Sequence, residues 1–383
     1  MIKRKRIAIF THNYPVTSME RKDAGIFVYD FAHELYKSAD VFVFCPDFGG
    51  KKEKYRKVPV TWMDWHGPKK KFGTWSFFSP ISVFNFFKLM YIGCRGAEKF
   101  VKENKIDYSL ACWTLPASIY TLWLKIKLDK PYGVWILGSD VNIYAKFPIL
   151  KQLTVMALKK AKTRFANSYW LINIVEKFSG KKCVYMDAIT DFNVNNVKKK
   201  KLDSNVFNFM FAGSIRKVKG VDVLVKAALE LKERNPNFVV HILGDGPIKS
   251  EVEGYVTKND LTKNVIFYGV VNKEIVASFM KSADALIVSS RAESIPLVIV
   301  EAARVGLPTI STDVGDDRIV IEKYKIGLVC KNEDPIDMAK TMFKAMKEGK
   351  NFRKKRQLGL KELSKSRSQK IAVATLLKEI DTV

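Results

Sequence analysis

Two glutamates separated by seven residues, Glu293 and Glu301, form the pattern in this sequence best suited to binding a ligand rich in hydroxyl groups. Pro296 is typical of a first helical turn and Gly306 of the residue just past a helix end, so the residues between them are predicted to be helical. Glu293 then lies before the helix and Glu301 inside it, and carboxylates accept hydrogen bonds from hydroxyls. A loop charge and a solvated helix residue explain the same spacing, because short motifs often match by chance.

The predicted helix begins near Leu297 and Val298, between the two carboxylates. A helix N-terminus presents unpaired N–H groups and a partial positive charge, and both favour an anion. The sequence therefore predicts that the amides of these two residues receive a diphosphate, while the glutamates on either side bind hydroxyls.

A second segment, Gly213 to Gly220, carries Arg216, Lys217 and Lys219 directly after an apolar run. A glycine such as Gly213 at the end of a strand lets the backbone turn close to a ligand. Lysine supplies a compact positive charge and arginine a planar fork, and both suit a diphosphate leaving group. An ordinary basic loop is the alternative in a chain this rich in lysine.

Short apolar runs alternate with helical patterns along the chain, which is typical of βα units and a parallel sheet. The predicted strands are Arg6 to Phe10, Asp40 to Cys45, Tyr108 to Cys112, Tyr132 to Ile136, Asn208 to Ala212, Phe238 to Leu243, Val265 to Tyr268, Ala285 to Val288 and Thr309 to Ser311. The predicted helices include Gly25 to Lys37, Val221 to Arg234, Asn272 to Lys281 and Pro296 to Val305. Because open parallel sheets bind ligands beyond the carboxyl ends of their strands, we expect function in the loops that follow the strands.

The chain has 383 residues, about twice what one hydrophobic core usually supports. Residues 191–205 are polar, include four successive lysines, and are predicted to link two doubly wound α/β domains. The N-terminal domain is expected over residues 1–190 and the C-terminal domain over 206–360, with the two facing each other across a cleft. Residues 361–383 are expected to form a C-terminal helix that packs back on the N-terminal domain.

The formal charge is +27, from 66 basic and 39 acidic residues, and so basic a surface must meet an anionic partner. Nucleic acid, anionic lipid and phosphorylated substrates all satisfy this requirement. The five cysteines are scattered, without disulfide-framework or metal-ligand spacing, which predicts a reduced, cytoplasmic protein. No uninterrupted apolar run is long enough to span a bilayer, so any membrane contact is expected to be peripheral.

Taken together, these segments resemble glycosyltransferase family 4, retaining enzymes with the GT-B fold of two Rossmann-like domains. The likeness is clearest from about Val206 to Lys347, where it also includes the segments Gly244 to Pro247 and Gly306 to Gly315. It is fainter over residues 5–190, where Gly25 resembles the family's glycine loop near the donor phosphates. A tight turn alone also explains Gly25.

The resemblance implies a role for individual residues. Glu301 is expected to bind the ribose hydroxyls, Glu293 the hydroxyls of the transferred sugar, and Lys219 the diphosphate. Ser139 and Asp140 lie in a strand-end turn that is expected to face the acceptor. The family usually works without a metal, and the sequence has no Asp-x-Asp motif, so neither a metal nor another cofactor is expected.

The sequence departs from the family pattern at two positions. Ser214 stands where the family often has an arginine, so a phosphate contact is missing unless a later basic residue of the loop reaches in. We therefore expect Arg216 to join Lys219 and Glu293 as a catalytic residue. Leu137 stands where the family commonly has a histidine, which removes the usual polar group facing the acceptor sugar.

Residues 79–104 have the pattern of an amphipathic helix, with Ser79 as N-cap and Pro80 at the first helical position. Its apolar residues at helical spacing are Ile81, Phe84, Phe87, Tyr91 and Cys94. Lys69 to Lys71 precede the helix, and an apolar face beside basic residues suits an anionic membrane surface. Packing of that face on the sheet is the alternative. A second basic cluster, of Lys159, Lys160, Lys162 and Arg164, favours docking on the inner face of the cell membrane.

The predicted function is transfer of a sugar from a UDP- or GDP-linked donor to a glycan or lipid-linked acceptor, in cell-surface polysaccharide or glycolipid synthesis. A sugar-nucleotide epimerase or a phosphorylase is one alternative, since either would share the fold. A non-enzymatic polyanion-binding protein is another, although the sequence has no nucleic-acid recognition motif and its aromatic residues are not interleaved with the basic runs.

Overall fold

A computed structural model describes residues 4–15, 25–49, 52, 57–68, 79–138, 147–190, 192, 194, 196–294 and 296–382. The chain divides into two units. The first unit is formed by Met1–Asp191 together with Ser368–Val383, and the second by Phe192–Arg367.

The described part of the first unit is built on a seven-stranded parallel sheet. Its strands are β1 (Arg6–Phe10), β2 (Asp40–Pro46), β3 (Val60–Met63), β4 (Tyr108–Cys112), β5 (Tyr132–Ile136), β6 (Thr163–Ala166) and β7 (Val184–Tyr185). Its helices, apart from a last one near the C-terminus, are α1 (Ile26–Leu35), α2 (Pro80–Glu103), α3 (Ala117–Leu128), α4 (Pro148–Lys160) and α5 (Tyr169–Ser179). The strand order is β3-β2-β1-β4-β5-β6-β7, so it reverses between β1 and β4.

Helices cover both faces of this sheet. Successive side chains of a strand point to opposite faces, and those of β1 belong to two different apolar clusters. Ala8 and Phe10 pack in the cluster that contains residues of α2 and α3, whereas Ile7 and Ile9 pack with residues of α1. Burial on both faces explains why the strands appear in the sequence as nearly continuous apolar runs.

The second unit repeats this architecture with a six-stranded parallel sheet. Its strands are β8 (Phe207–Ala212), β9 (Phe238–Leu243), β10 (Val265–Phe267), β11 (Ala285–Val288), β12 (Thr309–Thr312) and β13 (Gly327–Cys330). Its helices are α6 (Val221–Arg234), α7 (Lys249–Lys258), α8 (Lys273–Ser282), α9 (Leu297–Arg304), α10 (Asp317–Tyr324), α11 (Pro335–Glu348), α12 (Lys350–Lys354) and α13 (Gln357–Ser366). The order β10-β9-β8-β11-β12-β13 reverses between β8 and β11, and the predicted doubly wound α/β organisation is confirmed in both units.

The ends of the two units differ from the boundaries expected from the sequence. The second unit begins at Phe192 rather than 206, because the following segment is attached to α8. Lys281 Nζ donates to the carbonyl oxygens of Val194 and Val197, at 2.6 and 2.7 Å. The second unit extends to Arg367, and the first resumes at Ser368 rather than 361. Its last helix, α14 (Gln369–Asp381), adds buried apolar side chains to the cluster around α1.

Four strands were not predicted, namely β3, β6, β7 and β13. All four are short. One of them, β6, contains Arg164, which was predicted to belong to a basic cluster on the surface, and that prediction is wrong. Arg164 is buried, and its guanidinium donates to the carbonyl oxygens of Leu158, Ala161 and Lys182 at 3.2, 2.7 and 3.0 Å. This arginine therefore joins parts of the first unit and is not available to a surface.

Helix α2 begins as predicted, with Ser79 in an extended conformation and Pro80 at the first helical position. The predicted apolar residues of α2, however, do not all pack against the core. Phe86, Leu89 and Met90 are among the residues that attach α2 to the core, together with Cys94 of the predicted stripe. Ile81, Phe84 and Tyr91 are 73%, 68% and 67% exposed, so packing on the sheet is the wrong interpretation for them. The basic residues Lys69 to Lys71 lie outside the described residues. In the part of the chain that the structure describes, every helix is too short or too polar to cross a membrane.

Candidate functional site

The reversal of strand order between β8 and β11 places two of the predicted segments side by side. Open α/β sheets bind ligands in the crevice outside the carboxyl ends of their strands at such a point. The loop that contains Gly213 to Gly220 leaves the end of β8, and the loop that contains Glu293 leaves the end of β11. Topology alone therefore brings together basic and acidic residues that are about 75 positions apart in the chain.

Lys219 and Glu293 are in direct contact at this point. Lys219 Nζ donates a hydrogen bond to Glu293 Oε1, and Ser290 Oγ donates to the same oxygen at 3.3 Å. The side chains of Lys219 and Glu293 remain 31% and 17% exposed, so both groups are partly desolvated yet open to solvent. A ligand arriving here would meet a cation and a carboxylate within one contact distance of each other.

The backbone around Lys219 is held very close to the loop after β11. Gly220 has φ of 64°, and a Cβ on it would lie 1.8 Å from the carbonyl oxygen of Ser289. Ser289 Oγ in turn donates to the carbonyl oxygen of Lys219 at 2.9 Å. Any side chain at position 220 would force the two loops apart, so glycine is required there for packing.

The glycines at 244 and 246 also have a packing role. A Cβ on Gly244 would lie 1.8 Å from the carbonyl oxygen of Gly213, and one on Gly246 would lie 2.3 Å from that of Ile215. These glycines let the loop after β9 lie directly against the loop after β8. Gly213 itself has room for a Cβ, because the nearest atom would be 3.5 Å away in Phe211. The fold does not require glycine at 213, whereas close approach of a ligand would.

Arg216 and Ser214 are both exposed on the loop after β8. Within the described residues, Arg216 has no side-chain hydrogen bond or ion pair, so its guanidinium is free to turn toward a ligand. Burial is the main cause that lowers the pKa of the Lys219 ammonium, and the nearby positive charge of Arg216 lowers it further.

Helix α9 carries the remaining predicted residues. Pro296 is the last residue before the helix, with φ of −67° and ψ of 122°, so the prediction that it occupies the first helical position is wrong by one residue. Leu297 and Val298 form the first turn, whose amides lack intrahelical acceptors. Glu301 lies one turn further along the helix and is half-buried. Glu293 and Glu301 therefore lie before and within the helix, as their spacing predicts.

A buried carboxyl beside Lys219 was missed by the sequence analysis. Asp317, at the start of α10, is fully buried, and one of its oxygens accepts a hydrogen bond from Ser311 Oγ at 2.6 Å. Its other oxygen has no hydrogen-bond partner among the described residues. Burial raises the pKa of Asp317 to about 7, although the Ser311 hydrogen bond and the charge of Lys219 both oppose that rise. No local pattern marks Asp317, because its raised pKa depends on its burial.

The remaining predicted residues, Gly25, Ser139 and Asp140, belong to the first unit. Gly25 precedes α1 in the first unit, where a Cβ would lie 2.2 Å from the carbonyl oxygen of Asn13, so packing requires this glycine. Ser139 and Asp140 lie outside the described residues. Leu137 is half-buried against the apolar cluster around α1. Over the described ranges, no group of three or more His, Cys, Asp and Glu side chains is arranged to hold a metal ion.

Part of the chain is similar to a known protein family. Residues 193–359 match the family described as Glycosyl transferases group 1. An uncharacterized glycosyltransferase of Methanocaldococcus jannaschii is 27% identical over 271 residues, which cover 67% of this chain and 73% of that protein. Other glycosyltransferases align over shorter stretches, and the chain spans between 27% and 52% of their length.

Solved structures align with nearly the whole chain. Sucrose-phosphate synthase from Thermosynechococcus elongatus aligns with a TM-score of 0.76 and 15% identity, over 99% of this chain and 98% of its own. HepE of Anabaena, solved in complex with UDP, aligns with a TM-score of 0.75 and 14% identity, over 99% of this chain and 100% of its own. This likeness confirms the predicted GT-B fold.

Replacing Asp317 by asparagine is expected to stabilise the protein more at pH 7 than at pH 5. The pKa of Asp317 is about 7 in the folded protein, whereas an unfolded aspartate titrates near 3.9. Between these values the folded state holds a proton that the unfolded state has lost, so this group lowers stability as the pH rises. Asparagine has no such proton, and the gain in unfolding free energy over wild type should grow by about 2 kcal/mol between pH 5 and pH 7.

Urea unfolding of both proteins across that pH range measures the difference. A gain that stays constant with pH would mean that Asp317 does not titrate near neutrality in the folded protein.

Proposed function

We propose that this chain, a glycosyltransferase with the GT-B fold, transfers a sugar from a UDP- or GDP-linked donor to a glycan or lipid-linked acceptor. The observation that carries the proposal is the contact between Lys219 and Glu293 where the strand order of the second sheet reverses. Lys219 suits a diphosphate and Glu293 suits a sugar hydroxyl, and in a sugar nucleotide the diphosphate and the sugar are adjacent. The proposal includes membership of glycosyltransferase family 4, retention of the anomeric configuration, and a role in cell-surface polysaccharide or glycolipid synthesis.

The departing diphosphate is the group that needs the most stabilisation. When the bond between the sugar and the diphosphate breaks, both bonding electrons stay on the phosphate oxygen, which gains negative charge. Lys219 and Arg216 supply two cations, and the amides of Leu297 and Val298 supply donors at a helix N-terminus. Such preorganised groups stabilise developing charge most where water is partly excluded. Because the chain itself supplies this charge, we propose that the reaction proceeds without a metal or another cofactor.

The two glutamates complete the proposed donor site. Glu301 binds the ribose hydroxyls and Glu293 the hydroxyls of the transferred sugar. Lys219 and Glu293 neutralise each other in the structure, so the donor must exchange their mutual contact for its own phosphate and hydroxyl groups. UDP is the first donor nucleotide to test, since HepE was solved with it. Gly25, Ser139 and Asp140 remain proposed contributions of the first unit, the glycine toward the donor and the other two toward the acceptor.

Removing the charge of Lys219 tests the donor site. Lys219→Met is expected to lower UDP affinity by about tenfold or more, because a hydrogen bond between charged groups contributes about 1.5 to 3 kcal/mol. Turnover of UDP-sugars should fall further, by about 10² to 10³, since the charge matters most as the diphosphate leaves. Calorimetric titration with UDP, GDP and ADP, followed by assays of UDP release, measures both effects. Lys125→Met is the matched control, because Lys125 is also ion-paired and partly exposed but belongs to α3.

Three results would contradict parts of this proposal. Wild-type protein that binds none of the three nucleotides would exclude the proposed donor site. Release of UDP with an epimerised sugar, in the absence of an acceptor, would favour the epimerase. Loss of activity in EDTA that Mg²⁺ or Mn²⁺ restores would contradict the metal-free reaction.

Arg216 is expected to replace the arginine that the family often has at the position of Ser214. Arg216→Lys keeps the charge but loses the two-pronged fork, so it should retain part of the activity, whereas Arg216→Ala should retain little. Adding Ser214→Arg to Arg216→Ala should recover activity, because it restores the family's arrangement. Steady-state turnover of the four proteins decides the point, and wild-type turnover in Arg216→Ala would show that Arg216 takes no part.

We also propose that α2 binds the surface of an anionic membrane, which fits a lipid-linked acceptor. Ile81, Phe84 and Tyr91 are exposed on α2, and they lie in positions that share a face with Arg95 and Lys99. Apolar side chains that enter the lipid boundary and cations beside them are the pattern of an interfacial helix. Exposed apolar side chains grouped in this way mark an interaction surface in a protein that is otherwise highly charged.

Shortening the exposed apolar side chains should weaken membrane binding without unfolding the protein. Phe84→Ser combined with Tyr91→Ser is expected to lower partitioning to phosphatidylglycerol vesicles more than tenfold, because each aromatic contributes about 1.5 to 3 kcal/mol when buried. Leu358→Ser is the control, since Leu358 is 86% exposed but lies on α13 of the second unit. Vesicle sedimentation measures binding. Equal binding of wild type to phosphatidylglycerol and phosphatidylcholine vesicles, or no release by salt, would contradict the electrostatic part.

A further inference from the structure

The two catalytic loops of the proposed site leave different strands, so something must hold them at a constant separation. Lys219 lies on the loop after β8 and Glu293 on the loop after β11. Reacting groups that are misplaced by about 1 Å can cost about 10²-fold in rate. We propose that Arg291 is the positioning residue that locks the loop bearing Lys219 to the loop bearing Glu293.

Arg291 makes contacts on both sides of this junction. Its guanidinium forms a two-pronged pair with Asp222, with N–O distances of 2.7 and 2.8 Å. The same group donates to the carbonyl oxygen of Lys217 at 2.5 Å and to Glu333 at 2.6 Å. The backbone N–H of Arg291 donates to the carbonyl oxygen of Val218 at 2.8 Å. One residue therefore holds the two positions that immediately precede Lys219.

These contacts lie on both sides of Lys219 in the chain, so they fix the position of its backbone. Arg291 is two residues before Glu293 on the same loop, and Asp222 lies in the first turn of α6, three residues after Lys219. The backbone on both sides of Lys219 is thus bound to Arg291, while the carbonyl oxygen of Lys219 accepts a hydrogen bond from Ser289. A planar fork that pairs with a carboxylate and a carbonyl at once fixes orientation as well as distance.

The pair between Arg291 and Asp222 stays ionised throughout the working pH range. Burial alone would raise the pKa of Asp222, but hydrogen bonds from Arg291 and Lys217 outweigh it and hold that pKa at about 2. The contacts with Asp222 also raise the pKa of Arg291 above its usual value. A change of pH therefore does not break this connection by protonation, and a donor need not open it, in contrast to the contact between Lys219 and Glu293.

The test compares Arg291 with a second arginine of the same unit that makes contacts of the same kind with other residues. Arg356 also pairs with a carboxylate through two nitrogens, Glu348 at 3.0 and 3.1 Å, and donates to the carbonyl oxygen of Phe352. Arg291→Met, Arg291→Lys and Arg356→Met are compared for melting temperature, UDP affinity and UDP release from UDP-glucose. A purely structural role predicts similar losses for the two methionine variants.

Positioning predicts that turnover separates from binding. Arg291→Met should lower UDP release about 30- to 100-fold while UDP affinity changes less than about fivefold, since misplacement acts mainly on the reacting geometry. Arg291→Lys should keep an intermediate rate, because it keeps the charge and loses the fork. Arg356→Met should lower the melting temperature with little change in either. A turnover loss in Arg291→Met no larger than in Arg356→Met, or an equal loss of affinity and turnover, would overturn the proposal.

The positioning role of Arg291 rests on the proposed function, but a second measurement tests the connection between the loops without it. Hydrogen exchange does not depend on a donor, so it applies even if the wild type binds no nucleotide. Arg291→Met should raise amide exchange about tenfold in both segments, residues 213–221 and 289–294, and Arg356→Met in neither. Faster exchange in only one segment, or in neither, would show that Arg291 does not join the loops.

Discussion

The candidate site of the second unit depends on the reversal of strand order between β8 and β11. Where neighbouring strands continue in opposite directions across a sheet, the loops that leave their carboxyl ends diverge and leave a crevice. Here the diverging loops carry opposite charges at Lys219 and Glu293. Close backbone packing, which glycine permits at 220 and 244, keeps the two loops and their neighbour after β9 near enough for those side chains to meet.

Several charges around this crevice are arranged in ways that oppose stability. Burial lowers the pKa of Lys219, and burial raises the pKa of Asp317 to about 7, so this carboxyl is only partly ionised at neutral pH. Asp317 leaves one oxygen without a hydrogen bond among the described residues. Polar groups buried with incomplete partners are costly, and they concentrate where ligands or reactions require them. The pair between Arg291 and Asp222 differs, since nearly all of its hydrogen-bonding capacity is used.

The first unit has a different physical character. Its described surface combines exposed aromatic side chains on α2 with lysine and arginine. An aromatic side chain that is largely exposed lowers the free energy only when a partner removes it from water. An anionic lipid surface, which we propose as that partner, would cover the aromatic side chains and attract the basic ones, and the net charge of +27 favours approach to it.

The sequence by itself determined the βα alternation, because strands buried on both faces of a parallel sheet must be short apolar runs. Phe238–Leu243 and Ala285–Val288 were predicted with their observed bounds for this reason, and the placement of Glu293 and Glu301 relative to α9 followed from helix-end signals alone.

What the tertiary structure decided depends on contacts between residues far apart in the chain. Arg164 appears in the sequence as part of a basic cluster, yet it is buried against carbonyl oxygens; Asp317 appears as an ordinary acid, yet burial raises its pKa. Arg291 acquires its role only because Asp222, 69 positions away, meets its guanidinium. Local patterns specify which element a residue joins, but burial and distant partners set its charge and its contacts, and these exist only after the chain has folded.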